Sequence, residues 1–124
     1  MKINREQVYK KFNGHCAYCG KEITIKEMQI DHVYPKRLDS LYEWSEEIKQ
    51  KRPKDIDSIS NLMPSCRTCN HYKRAGTLES FRDLMRTLHE RILNIYIVKV
   101  AICYGIVKVR PFDNKFYFEI IKNE

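Results

Sequence analysis

Apolar positions recur with helical spacing most clearly in the second half of the chain, where Leu78, Phe81, Leu84, Met85, Leu88 and Ile92 share one face and Thr77 stands in a capping position. The pattern predicts an amphipathic helix from 77 to about 92. A shorter helix is predicted near the N-terminus, where Asn4 can cap and Gln7 occupies the reciprocal capping-box position. Asn13-Gly14 ends that segment after about Phe12. Residues 28–33 read as a strand closed by Pro35. A polar helix is predicted from Asp39 or Ser40 to about Lys51, stopped by Pro53. Residues 95–104 are apolar on every side and rich in β-branched side chains, which favours a strand by propensity. A strand running on through Gly105 to Val109 would, however, far exceed the usual five or six residues, whereas Gly105 can close a buried helix at its C′ position. Helix is the expectation. Residues 106–110 and 115–121 then form a predicted β-hairpin around Pro111-Phe112-Asp113-Asn114.

With 124 residues, 31% charged and 43% hydrophobic, the chain suits one soluble domain spanning 1–124. A chain of this size buries only about two-thirds of its unfolded surface, so its single core gains from an added staple. The longest charge-free stretch, between Lys99 and Lys108, is far short of the roughly twenty residues a membrane span needs, and no membrane association is expected. The opening MKINREQVYKKF has no apolar signal core, so a reducing cytoplasm is expected. The formal net charge is +7, with basic clusters at Lys36-Arg37, at 49–54 (KQKRPK), at Arg67, at Lys73-Arg74 and at Arg82 and Arg86. Such clustering favours a polyanionic partner, although ordinary solubility accounts for a positive charge equally well.

Chemistry enters with the cysteines. Cys16 and Cys19 form one C-x-x-C pair, and Cys66 and Cys69 form a second. Two such knuckles supply the four soft ligands of a tetrahedral structural Zn²⁺ site, a reading that a reducing compartment favours over disulfides. Gly20 fits the tight turn after the first pair. Cys103, left over in the apolar run, reads as a small core hydrophobe. Between the pairs lie Asp31-His32, and Asn70 directly follows Cys69. Asp and Asn oxygens suit a hard cation such as Mg²⁺, and a neutral imidazole beside them can take a proton from water. Neighbours on a regular strand point to opposite faces, so Asp31 and His32 can serve one centre only where the strand twists or breaks, as Pro35 would allow.

Taken in order, C-x-x-C, then D-H-V-Y-P, then S-N-L-M-P-S-C-R-T-C-N-H-Y-K, residues 16–73 closely resemble the HNH endonucleases of the ββα-metal class, in the subgroup braced by a four-cysteine zinc site. The resemblance implies a small α+β fold with a core at about 13–76; it says little about residues 78–124, where the helical and hairpin extension at about 77–124 rests on the patterning above. It implies that Asp31 and Asn70 hold a catalytic Mg²⁺ or Mn²⁺, that His32 is the general base, and that Asn61 holds the loop and orients that base. Lys73 falls on a basic position near the DNA backbone. The implied products are 5′-phosphate and 3′-hydroxyl ends. One site cuts one strand, so double-strand cleavage is expected to need a homodimer or two visits, and the abundance of Lys and Ile is compatible with a bacterial or phage-infected cell. Arg74, one turn after Asn70, cannot add a ligand, and the insert at 39–57 is longer and more charged than in many relatives.

Lys51, Arg52, Arg67, Lys73 and Arg74 are the expected phosphate contacts, which makes DNA binding steeply salt-dependent. An imidazole base must be neutral to act, so activity is expected to rise through about pH 6 to 7. His71 lies about 100° round the helix from Asn70 and reads as a phosphate or solvent contact, His15 as knuckle surface and His89 as a partly exposed helix residue. Tyr34, Tyr42 and Trp44 can stack on bases or pack in the insert. Two other classes account for the same charge and cysteines: a zinc-stabilised nucleic-acid-binding module without catalysis, and an interaction subunit of a phage or defence complex.

Overall fold

The computed structural model of the chain describes residues 3–36, 50 and 52–121. The predicted polar helix, with Lys51, Tyr42 and Trp44, falls outside the described residues. The chain divides into two compact units, Met1–Leu78 with Phe116–Glu124, and Glu79–Lys115.

In the first unit, α1 (Arg5–Lys10) begins where the Asn4 side chain accepts the Gln7 N–H at 3.1 Å, as the capping pattern predicts. It ends two residues earlier than expected, and the chain turns through Asn13 and Gly14, both at positive φ (53° and 77°). Two long cations sew α1 to later segments of the unit. Arg5 Nη2 donates to the carbonyls of Ile25 and Met28, and Lys11 Nζ donates to those of Ile59 and Leu62 at 2.7 and 2.8 Å. Strand β1 (Gln29–His32) pairs antiparallel with β2 (Leu62–Ser65), Gln29 opposite Ser65 and His32 opposite Leu62. Every residue of β2 is buried, and α2 (Arg67–Lys73) comes directly after it. This β–β–α succession is the expected α+β core.

The last helix, α6 (Tyr117–Ile121), returns to this unit and replaces the predicted second strand of the C-terminal hairpin. The correction has a tertiary cause. Phe116 is buried against Tyr18 in a T-shaped contact with centroids 5.4 Å apart. The first amides of α6 then find knuckle carbonyls, Tyr117 N–H on Tyr18 at 2.9 Å and Phe118 N–H on Ala17 at 2.8 Å, and Glu119 Oε1 accepts from the Phe116 N–H. Those bonds satisfy donors that a helix leaves open and remove any need for a sister strand. Gly20 sits under this strap at φ +80°, and a Cβ there would lie 2.7 Å from the Tyr117 ring. Gly20→Ala therefore combines left-handed strain with a clash and is expected to lower unfolding stability by about 2 kcal/mol, measured by denaturant titration of the zinc-loaded chain.

In the second unit, the predicted helix from 77 to 92 is present as two pieces, α3 (Leu78–Arg86) and α4 (Leu88–Leu93). Thr87 interrupts it: its hydroxyl bonds back to the carbonyls of Asp83 and Leu84, and Arg91 Nη2 caps Leu84 O at 2.5 Å. The apolar run is helical, as expected, in α5 (Tyr96–Cys103). Gly105 (φ +71°) closes it with Ile106 N–H on Ala101 O and Gly105 N–H on Ile102 O, a Schellman pair. The expected burial is not found: no α5 residue is buried, Tyr96 is 80% exposed, and Cys103 lies at the surface rather than in a core. The first hairpin strand is also absent, residues 107–113 having no regular secondary structure. Arg82 Nη1 on Asn114 O and Arg86 Nε on Asn114 Oδ1 hold the turn there instead. Among the described residues no helix is long and apolar enough to cross a membrane.

Candidate functional site

The first knuckle is a tight reversal, bridged at His15 and Glu22, in which Cys16 N–H bonds Lys21 O and Gly20 N–H bonds Cys16 O. The second opens α2, where the Cys66 sulfur accepts the Cys69 N–H at 3.4 Å as the helix cap. The four ligand atoms of Cys16, Cys19, Cys66 and Cys69 lie within 4.8 Å of one another, with Cys19 and Cys66 Sγ 3.8 Å apart. A Zn²⁺ tetrahedron with Zn–S of about 2.3 Å has edges of about 3.8 Å, so the donor set fits. The electrostatics agree. Hydrogen bonds from Cys19 and Cys69 hold the Cys16 thiolate far below the ordinary thiol range, while Cys19, donating to Cys16, is pushed up to about 11 and Cys69 higher still. A bound Zn²⁺ favours the thiolate form of the cysteines that ligate it.

From this clamp α2 runs back along β1. Gln29 and Asp31 share one face of the strand and Asn70 and Lys73 one face of the helix, so they meet as two rungs: Asn70 Nδ2 on Gln29 Oε1 at 2.9 Å, and Lys73 Nζ on Asp31 Oδ1 at 3.1 Å. The other Asp31 oxygen accepts the hydroxyl of Tyr18, which stands inside the first C-x-x-C. Asp31 is 4% exposed and Lys73 3%. Burial raises the Asp31 carboxyl above its ordinary range, opposed by Lys73, by the Tyr18 hydroxyl and by nearby His32. Burial and the Asp31 charge together raise the Tyr18 hydroxyl well above its own.

The placement of Lys73 corrects the sequence expectation. Its side chain is wholly enclosed, with the ammonium shared between Asp31 and the Gly76 carbonyl at 2.7 Å, so it is not a phosphate contact. A charged group at the helix position facing the buried carboxylate is drawn inward by the desolvated charge. Arg67 and Arg74 are exposed, and exposed His71 lies one turn after Arg67. Arg52 is exposed as well, its Nη1 on the Pro53 and Lys54 carbonyls.

Strand alternation turns His32 away from the seam between β1 and α2. Its Nε2 lies 2.7 Å from Asp57 Oδ1, and Lys36 Nζ reaches the same oxygen at 3.7 Å. The hydrogen bond to His32 and the Lys36 charge hold the Asp57 carboxyl below its ordinary range. Asn61 is buried at the end of a 3₁₀ turn (Ile59–Asn61), accepting from Tyr34 N–H at 2.8 Å and donating to the Tyr34 and Ile56 carbonyls. It staples the exit of β1 to the approach of β2. The seam thus gathers Asp31 and Asn70, the staple is Asn61, and His32 sits at the adjoining strand face.

By donor chemistry Asp31 and Asn70 suit a hard divalent cation, one carboxylate and a carboxamide whose Nδ2 is spent on Gln29, but both Asp31 oxygens are engaged here, one by the Tyr18 hydroxyl and one by Lys73. A cation at Asp31 meets Lys73 already in place. Sequence reasoning missed Tyr18, Gln29 and Asp57. The period-2 spacing of Gln29 from Asp31 marks their shared face, but nothing local marks Asp57, which lies far along the chain from His32.

A two-stranded sheet leading into a helix, with a four-cysteine cluster at the base of both knuckles, defines a small α+β domain of the zinc-braced ββα kind. Residues 16–76 match the family model described as HNH endonuclease, and the chain carries an HNH endonuclease domain over that span. No curated protein and no solved structure matches the chain. The family points to a nuclease, a hydrolase that acts on nucleic acid.

Proposed function

We propose that the protein is a divalent-metal-dependent DNA endonuclease, a single nuclease domain with its core at about 13–76. The carrying observation is that one clamp, the cysteine cluster, sets α2 against β1 so that Asn70 and Asp31 face the same seam, with His32 on the opposite face of the strand one residue on. Asp31 and Asn70 would hold Mg²⁺ or Mn²⁺, which would neutralise charge developing on the phosphate and on the 3′ oxygen. His32 takes a proton from water, the resulting hydroxide bonds to phosphorus, and the P–O3′ bond breaks, the departing oxygen taking a proton from solvent to leave 5′-phosphate and 3′-hydroxyl ends. Asn61 fixes the backbone on either side of the base. Exposed Arg67, at the start of α2, and exposed Arg74, just past its end, meet the DNA backbone. One site cuts one strand, and double-strand cleavage requires two copies.

One observation favours the non-catalytic binding module instead: both oxygens of Asp31 already have partners within the protein. Plasmid nicking separates the readings. With Mg²⁺ or Mn²⁺ present, His32→Ala is expected to lower nicking at least about 100-fold while zinc content and DNA affinity stay unchanged. Equal nicking by the two proteins would remove the enzyme reading.

A further inference from the structure

His32 has a carboxylate partner, Asp57, on the segment that leads into the 3₁₀ turn of Asn61. We propose that Asp57 is a positioning residue that holds the His32 imidazole in its Nε2–H tautomer, so that Nδ1 is the atom that takes the proton from water. The inference rests on the nuclease reading above and assigns its base a specific nitrogen.

An ionised carboxylate only accepts hydrogen bonds, so the ring nitrogen facing it carries the hydrogen. Here that nitrogen is Nε2, 2.7 Å from Asp57 Oδ1. The neutral ring then has its lone pair on Nδ1. When Nδ1 takes the proton, the water O–H bond breaks and an N–H bond forms. The imidazolium created lies against the negative charge of Asp57, and the hydroxide forms its bond to phosphorus as P–O3′ breaks. The departing oxygen is protonated by solvent.

The arrangement is held before any substrate arrives. Asp57 sits in a turn closed by Ser58 N–H on Asp55 O at 3.0 Å, and its own N–H bonds Asp55 Oδ1 at 3.0 Å. Asn61 ties that turn, through the Ile56 carbonyl, to Tyr34, two residues beyond His32, while Val33 N–H bonds Asn61 O at 2.9 Å. The base and its partner are therefore fixed on the same staple although they lie 25 residues apart. Lys36 shares the Asp57 oxygen but is 60% exposed at its side chain and reaches it only at 3.7 Å. It is the weaker partner, screened by water. The side chains of His32 and Asp57 are 16% and 24% exposed, so the pair is largely shielded from solvent without being sealed.

Imidazole ¹⁵N shifts of the full, zinc-loaded chain, recorded above pH 8 without added divalent cation, read the tautomer independently of activity. Wild-type His32 is expected to be predominantly Nε2–H, and Asp57→Ala to show a mixture. In nicking assays Asp57→Ala and Asp57→Asn are expected to lose about 10- to 100-fold in kcat, with KM within about twofold of wild type and Asp57→Glu recovering part of the loss. A wild-type ring that is mainly Nδ1–H, or variants that keep both tautomer and kcat, would overturn the proposal. So would a loss confined to KM, which would make Asp57 a substrate contact. If His32→Ala nicks as well as wild type, the nuclease reading falls by itself, and the tautomer measurement still decides whether Asp57 orients the ring.

Discussion

Replacing Cys66 with serine, or stripping the ion with a strong chelator, is expected to unfold the first unit rather than soften it. Cys66 is a cluster ligand and also the N-cap of α2, and its sulfur lies 3.8 Å from that of Cys19 across the cluster. Structural Zn²⁺ contributes on the order of 10 kcal/mol in small thiolate sites, whereas a whole domain is stable by only about 5–15 kcal/mol. The core around the knuckle is small, chiefly Val8, Cys16, Ala17, Tyr18, Leu62 and Phe116. It cannot make up such a loss. Circular dichroism melting with parallel zinc quantification checks this: the folded signal should vanish with the ion and return when Zn²⁺ is restored. A chelated chain with an unchanged melting curve would show that the four cysteines do not brace the fold.

Lys73→Met is expected to destabilise the chain by about 3–5 kcal/mol, the range for breaking a buried ion pair from one side. The stem of Met fills much of the same volume, so the loss comes from Asp31, left with the Tyr18 hydroxyl but no cation. Burial already raises the Asp31 carboxyl, and without Lys73 it rises further in the folded state while its unfolded value stays put. A raised carboxyl loses stability as pH increases: the deficit should be small near pH 4, grow with pH, and level off above the new folded value. Asp31→Asn in the same chain should recover most of it, and added Mn²⁺ should narrow the gap by occupying the place the ammonium left. Urea unfolding of the single and double variants from pH 4 to 8 measures each part. A deficit that shrinks as pH rises would contradict the pairing.

The cysteine cluster, the β–β–α core and the elements that carry Asp31, His32, Asn61 and Asn70 were legible because each is written locally, in the C-x-x-C spacing, a short strand ended by proline, and a helix beginning at a cysteine. The strand stays regular through His32, however, so the imidazole faces Asp57 rather than sharing the seam with Asp31. The helical reading of 95–104 was legible for a similar reason, since the Schellman closure at Gly105 is a local signal. The inward turn of Lys73 was not, because a lysine in a basic cluster reads as a surface residue until a buried carboxylate is known to face it. The hairpin failed where strand propensity at 115–121 met two carbonyls of a knuckle a hundred residues earlier, and the knuckle prevailed. Asp57 could not be chosen among the acids of its charged segment without the contact itself.

Tyr18 grows from the turn between two zinc ligands and ends on the carboxylate at the heart of the seam. A single phenol therefore joins the two halves. Any ligand at one end that strengthens or weakens that bond shifts the affinity of the other end by the same factor.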